Sequence, residues 1–68
     1  MKDLAKKLGA NIRVKRKEVG LAQDKLAELA DMDRSYIGRI ERGEMNITVE
    51  KLYSLAIVLK CKPKDLLP

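Results

Sequence analysis

The sequence predicts an all-α fold, a compact five-helix bundle forming one domain over residues 1–68. Three observations carry that prediction. Apolar residues recur at three- and four-residue spacing, as one face of a helix requires. Gly20, Gly43 and Pro63 fall where that periodicity breaks, at positions suited to helix ends and starts. Runs that alternate apolar and polar, the mark of a half-buried strand, are nearly absent.

Each element follows from local chemistry. Lys2–Val19 carries Leu4, Leu8 and Ile12 at four-residue spacing, and Gly20 stands at its C-terminal cap. Gln23–Ala30 is a second, short helix presenting Leu26, Ala27 and Ala30. Asp33 is placed to cap a third helix from Arg34 to Arg42, closed by Gly43. Thr48 caps a fourth, whose inward side is expected to hold Val49, Leu52, Tyr53, Ala56 and Leu59. Pro63 suits the first turn of a brief fifth helix, Pro63–Leu67.

Composition narrows the function. A chain of 68 residues buries only about 60% of the surface its unfolded form exposes, so it needs outside support. One cysteine and no histidine leave neither an internal disulfide nor the common metal sites, and no metal or cofactor is expected. Self-association remains. The helix 4 and 5 region has more apolar residues than one bundle covers, which makes Ile57, Val58, Leu66 and Leu67 candidates for a homodimer interface. Fifteen basic residues against ten acidic give a net charge of +5 and favour a polyanionic partner. The longest apolar run, Leu55–Leu59, is too short to span a membrane, and Met1–Leu8 lacks the apolar core of a signal peptide. With a lone reduced Cys61, expected to be a packed thiol, these features fit a cytoplasmic protein.

The segment "DMDRSYIGRIERG" concentrates the chemistry. At about 100° per residue from Arg34, Gly38 falls near 40°, Arg42 near 80°, Ser35 near 100° and Arg39 near 140°. Ile40 and Ile37 lie on the other side, near 240° and 300°, with Tyr36 at the margin near 200°. One face is therefore cationic and small, the other apolar. Before it, Leu26, Ala27, Ala30 and Met32 combine with Ile37 and Ile40 in the pattern of two helices crossing at a tight turn. Ala27 is the small residue where the backbones touch.

On these residues the chain resembles the phage repressor and Cro family, also called the Xre family. "GLAQDKLAELADMDRSYIGRIERG" matches its helix-turn-helix, and "ITVEKLYSLAIVLKCKPKDLL" looks like its fourth and fifth helices. The resemblance implies a lambda-repressor-like DNA-binding domain whose third helix enters the major groove of double-stranded DNA. Arg34 and Ser35, at that helix's N-terminal end, would then read bases, arginine matching the two acceptors of guanine. Gly38 would either allow close approach to base edges or be a tolerated weak point in the helix. Arg39 and Arg42 would hold phosphates. The family uses a glutamine at the position of Gln23 for a phosphate, and Asn46 resembles a loop residue that touches the DNA backbone. Tyr36 would give a phosphate hydrogen bond or simply pack.

Arg16 and Glu41 occupy the positions of a first-helix arginine and the "IERG" glutamate that the family pairs structurally. Two positions depart from the pattern. Asp31 replaces the usual turn glycine, and aspartate tolerates the left-handed conformation better than most residues. Ala22 replaces a capping serine or threonine, a loss on the order of 1 kcal/mol. Within the family, "DRSYIGRIERGEMNITVEKLY" is similar to restriction–modification controller proteins, with a phage-type repressor or an antitoxin-type regulator as alternatives. A protein-interaction module on the same fold would show an acidic or apolar third-helix face rather than three arginines. Enzymatic activity is not expected, since no histidine and no paired carboxylates in a pocket are evident, nor is a small-molecule effector.

Overall fold

The computed structural model describes residues 3–68, so the expected helix start at Lys2 lies outside the described residues. Among them the chain forms α1 (Leu4–Glu18), α2 (Gln23–Leu29), α3 (Arg34–Glu41) and α4 (Val49–Val58), followed by a single 3-10 turn, Pro63–Asp65. The fifth helix is thus one turn only. Its backbone bonds run three residues back, from Leu66 to Pro63 and from Leu67 to Lys64, and the Lys62 N–H donates to Asp65 Oδ2 at 3.0 Å. Pro68 disfavours helical geometry at Leu67, so the turn has nowhere to extend. No described helix is long and apolar enough to cross a membrane.

The α-helices share one way of stopping. Gly20, Asp31, Gly43 and Lys60 each follow a helix with φ of 78, 57, 74 and 58°. In each case the next residue's N–H bonds five residues back, as from Leu21 to Arg16, Met32 to Ala27, Glu44 to Arg39 and Cys61 to Ala56. These bonds satisfy carbonyls that a helix end otherwise leaves open. Two of the four positions carry a side chain in a conformation that favours glycine. At the helix starts, Thr48 Oγ1 accepts from the Lys51 N–H at 3.1 Å, whereas Asp33 holds the cap position of α3 without a side-chain bond.

The core joins all of these elements. Ile12, Leu26, Ile37, Ile40, Leu55, Leu59 and Leu66 are fully enclosed, with Ala27, Leu52 and Ala56 filling between them. Of the six residues expected to face inward around the α2–α3 turn, Leu26, Ala27, Ile37 and Ile40 are buried; Ala30 and Met32 pack partly buried against them. Asn11 Nδ2 donates to the Leu66 carbonyl at 3.0 Å, holding the C-terminal turn onto α1.

Sequence reasoning passed over Gly9. It lies buried mid-helix, where glycine costs about 1 kcal/mol relative to alanine. Its purpose is tertiary: a Cβ there would run into the Ile40 carbonyl oxygen and come within 2.8 Å of that of Glu41. Backbone therefore meets backbone where α1 crosses the end of α3.

Beside that crossing lies a buried ion pair. Arg16 Nε donates to Glu41 Oε2 at 2.6 Å and Nη2 to Oε1 at 3.1 Å, with both residues only 8% exposed. Arg16 Nη1 donates to the Leu21 carbonyl at 2.8 Å, and Gln23 Nε2 to Glu41 Oε1 at 3.0 Å. Both charges are thus met by two parallel bonds and by further neutral partners.

Two outcomes follow from this architecture. Glu41→Ala strands a buried guanidinium and is expected to cost about 3 kcal/mol or more. In a domain this small that is a fall of at least ~12 °C in melting temperature; a shift of under ~4 °C would refute the pair's weight. Lys60→Gly should act oppositely, relieving the left-handed backbone for a net gain of about 0.5–1 kcal/mol, visible as a higher urea midpoint at unchanged slope.

Candidate nucleic-acid interface

The α3 helix is two-faced in the folded chain. Ile37 and Ile40 are fully enclosed, while Arg34, Ser35, Arg39 and Arg42 are exposed. With Gln23 and Gly38, these four line one open, shallow surface. Six of the eight residues expected to meet DNA are therefore brought together by the α2–α3 turn.

Within this surface, Gly38 has a packing role of its own. It is buried, not bare: a Cβ at this position would lie 3.0 Å from Arg42 Nη1 and 3.8 Å from Gln23 Oε1. Helix side chains lean toward the N-terminus, so Arg42, one turn later, folds back over the gap that glycine leaves. The missing side chain makes room for a guanidinium and is not simply a weak point.

Gln23 is also constrained. Its amide nitrogen is committed to Glu41, an acceptor-only carboxylate, which turns Oε1 toward Gly38. One N–H of the amide remains for any anion. The surface is thereby linked through Glu41 to the Arg16 pair inside.

Arg42 has a partner of its own. Its Nε donates to Glu44 Oε2 at 2.7 Å and its Nη2 contacts Oε1 at 3.4 Å, in an exposed pair. The hydrogen bond from Arg42 holds the Glu44 carboxyl below the usual carboxylate range, with the charges of Arg42 and Arg39 adding to the effect. The same bond raises the pKa of Arg42. Arg34 and Arg39 appear in none of the described ion pairs.

Tyr36 and Asn46 sit elsewhere. Tyr36 is half-buried against the core in a cleft with Glu28, Asp31, Asp33 and Lys51, and Lys51 Nζ lies 5.2 Å from its ring centroid. Packing and a cation–π contact account for the ring. Asn46 is exposed at an apolar groove between the start of α1 and the start of α4, near Leu4, Leu8 and Leu52.

The interface candidates separate by exposure. Ile57 is 76% exposed and Leu67 49%, but Val58 is half-buried against the core and Leu66 is fully enclosed. Leu66 is a core residue because the 3-10 turn swings it under α1 and α4. Val49 and Tyr53, expected inward, are instead 71% and 56% exposed, while Leu55 takes an inward place beside Leu52, Ala56 and Leu59. Val49, Tyr53 and Ile57 follow at four-residue spacing and form one outward apolar stripe. Cys61 is half-buried, and its burial raises the thiol pKa, the behaviour of a packed side chain.

Comparison with known proteins accords with this geometry. Residues 12–66 match the helix-turn-helix family HTH_3. The control protein C.SmaI of Serratia marcescens is 38% identical over 65 residues, covering 96% of this chain and 77% of that protein. The crystal structure of the restriction-modification controller protein C.AhdI from Aeromonas hydrophila superposes with a TM-score of 0.90 at 38% identity, covering 93% and 96% of the two chains. SinR, a master regulator for biofilm formation whose crystal structure is in complex with DNA, gives a TM-score of 0.83 at 33% identity, over 87% and 95%. An α1–α3 contact fixed by a buried ion pair, a small buried residue, Ala27, in α2 and a cationic face on α3 thus occur in a chain that belongs to the helix-turn-helix family of DNA-binding transcription regulators.

Proposed function

We propose that the chain acts as a homodimer on a dyad-symmetric operator in double-stranded DNA, as a cytoplasmic regulator of the restriction–modification controller type. The observation that carries this reading is the surface of Gln23, Arg34, Ser35, Gly38, Arg39 and Arg42, which gathers cationic and small residues on one side of α3 while its isoleucines are buried. Similarity to C.SmaI and C.AhdI supports the controller assignment.

Within that reading, Arg34 and Ser35 are the base readers. They stand in the first turn of α3, the end that approaches the groove floor in this docking mode. Arg34 suits guanine, presenting two parallel donors to O6 and N7. Arg39 and Arg42, farther along the helix, suit phosphates, as does the free N–H of Gln23. Asn46 and the hydroxyl of Tyr36, which lie outside that surface, would reach the DNA backbone only on either side of it. Gly38 serves indirectly, by leaving space for the Arg42 side chain.

The dimer face is the outward stripe of α4, continued by Leu67. Its three regularly spaced apolar side chains are unusual for a surface helix, where polar residues normally face solvent. A twofold pairing there would set two α3 helices for half-sites about one helical turn, roughly 34 Å, apart.

The roles separate experimentally once a preferred site has been selected from random duplexes. Arg34→Ala should cost about 1–3 kcal/mol on that site and relax preference at one guanine per half-site, whereas Arg42→Ala should weaken all sequences alike. Equal losses on selected and random DNA for both variants would refute the assignment. For the dimer, Ile57→Lys should shift sedimentation at micromolar concentration from dimer to monomer with the melting curve nearly unchanged. A wild-type chain that remains monomeric with and without its site would overturn the twofold model.

A further inference from the structure

We propose that Glu44 is a built-in competitor for the phosphate contact of Arg42 and sets the overall affinity of the chain for DNA. The inference rests on the reading that Arg42 meets the DNA backbone. A carboxylate and a phosphate present similar paired oxygens to the guanidinium fork. In the free chain one edge of that fork is already occupied, through Nε at 2.7 Å and Nη2 at 3.4 Å.

Glu44 is not placed there by a wandering loop. Its own N–H bonds to the Arg39 carbonyl at 3.0 Å, and the Gly43 N–H bonds to that of Ile40 at 3.0 Å, so its backbone completes the end of α3. Gly43 in turn is pressed against α1, since a Cβ there would lie 2.5 Å from Lys6 Cγ. The carboxylate is consequently held beside the last turn of the recognition helix, within the field of both Arg39 and Arg42.

Binding DNA then requires an exchange. To present its Nε–Nη2 edge to a phosphate, Arg42 must leave one anion for another, and the released carboxylate remains near the phosphate backbone, where like charges repel. Neither cost depends on base sequence. Glu44 should therefore lower affinity for every duplex by a similar factor while leaving the bases preferred through Arg34 unchanged.

The experiment compares the wild-type chain with Glu44→Gln and, as a control for net charge, Glu18→Gln. Glu18 is a comparable case: it forms another surface ion pair, with the partly exposed Lys15 at 3.5 Å, on a surface shared with Asn11 and Asp65. Fluorescence anisotropy on the selected site and on a random duplex should show Glu44→Gln binding both roughly two- to five-fold more tightly than Glu18→Gln. The salt dependence should steepen as Arg42 engages phosphate more fully. In an Arg42→Ala background the extra gain should vanish. A gain no larger than that of Glu18→Gln, or one that persists without Arg42, overturns the inference while the DNA-binding reading stands. If wild type and every variant fail to bind duplex, that reading falls and the inference falls with it.

Discussion

The fold and the cationic face of α3 both depend on the bidentate contact between Arg16 of α1 and Glu41 at the end of α3. Removing two charges from water is expensive, and their attraction repays the cost only with good geometry and satisfied spare atoms. Here the Leu21 carbonyl and the Gln23 amide complete the set, and no buried side-chain nitrogen or oxygen among the described residues lacks a partner. Two apolar residues could fill this space, but they would be indifferent to rotation of α3. A two-pronged pair is not. It fixes the roll of a short helix, and that roll decides which side chains reach solvent.

Gly9 complements the pair. Electrostatic attraction could not bring α1 and α3 into register if a Cβ kept their backbones apart. The close approach shortens the path between Arg16 and Glu41, and Gln23 extends the same network to the outer surface. Charge is then sorted by location. The α3 face displays arginines, whereas Glu28, Asp31 and Asp33 line the separate cleft around Tyr36. Such separation orients the molecule in the field of a polyanion before contact, which a net charge alone does not do.

Much of this was legible in the sequence because it is local. The starts of α2 and α3 at Gln23 and Arg34, the Thr48 cap and the division between arginines and isoleucines all follow from spacing and turn chemistry. The features that escaped depend on contacts between distant segments. Gly9 reads as a defect until the carbonyls of Ile40 and Glu41 are set against it. Leu66 looks like spare apolar surface unless the short final turn folds it inward. In α4 two stripes interleave at similar spacing, and only the position of the core tells Leu55 from Tyr53. At Gly38 the helical wheel gave the correct angle but could not show that Arg42 would lie across it.

On the proposed dimer model, the outward stripe on α4 acquires its meaning from the small size of the cationic α3 face. Specific DNA binding generally needs about 4–10 kcal/mol of preference over random sequence. One good bidentate base contact supplies roughly 1–3 kcal/mol. A short α3 with one arginine in its first turn and a serine beside it cannot reach that range comfortably on its own. Pairing two copies doubles the reading surface without lengthening the chain. The stripe that would pair them is narrow, formed by Val49, Tyr53 and Ile57, so assembly should be weak and sensitive to concentration. Weak assembly is then useful to a regulator: when the dimer forms only as the protein accumulates, occupancy of a dyad site rises more steeply than protein concentration. For the proposed dimer, a threshold response would follow by mass action from an α3 face too small to supply that preference alone.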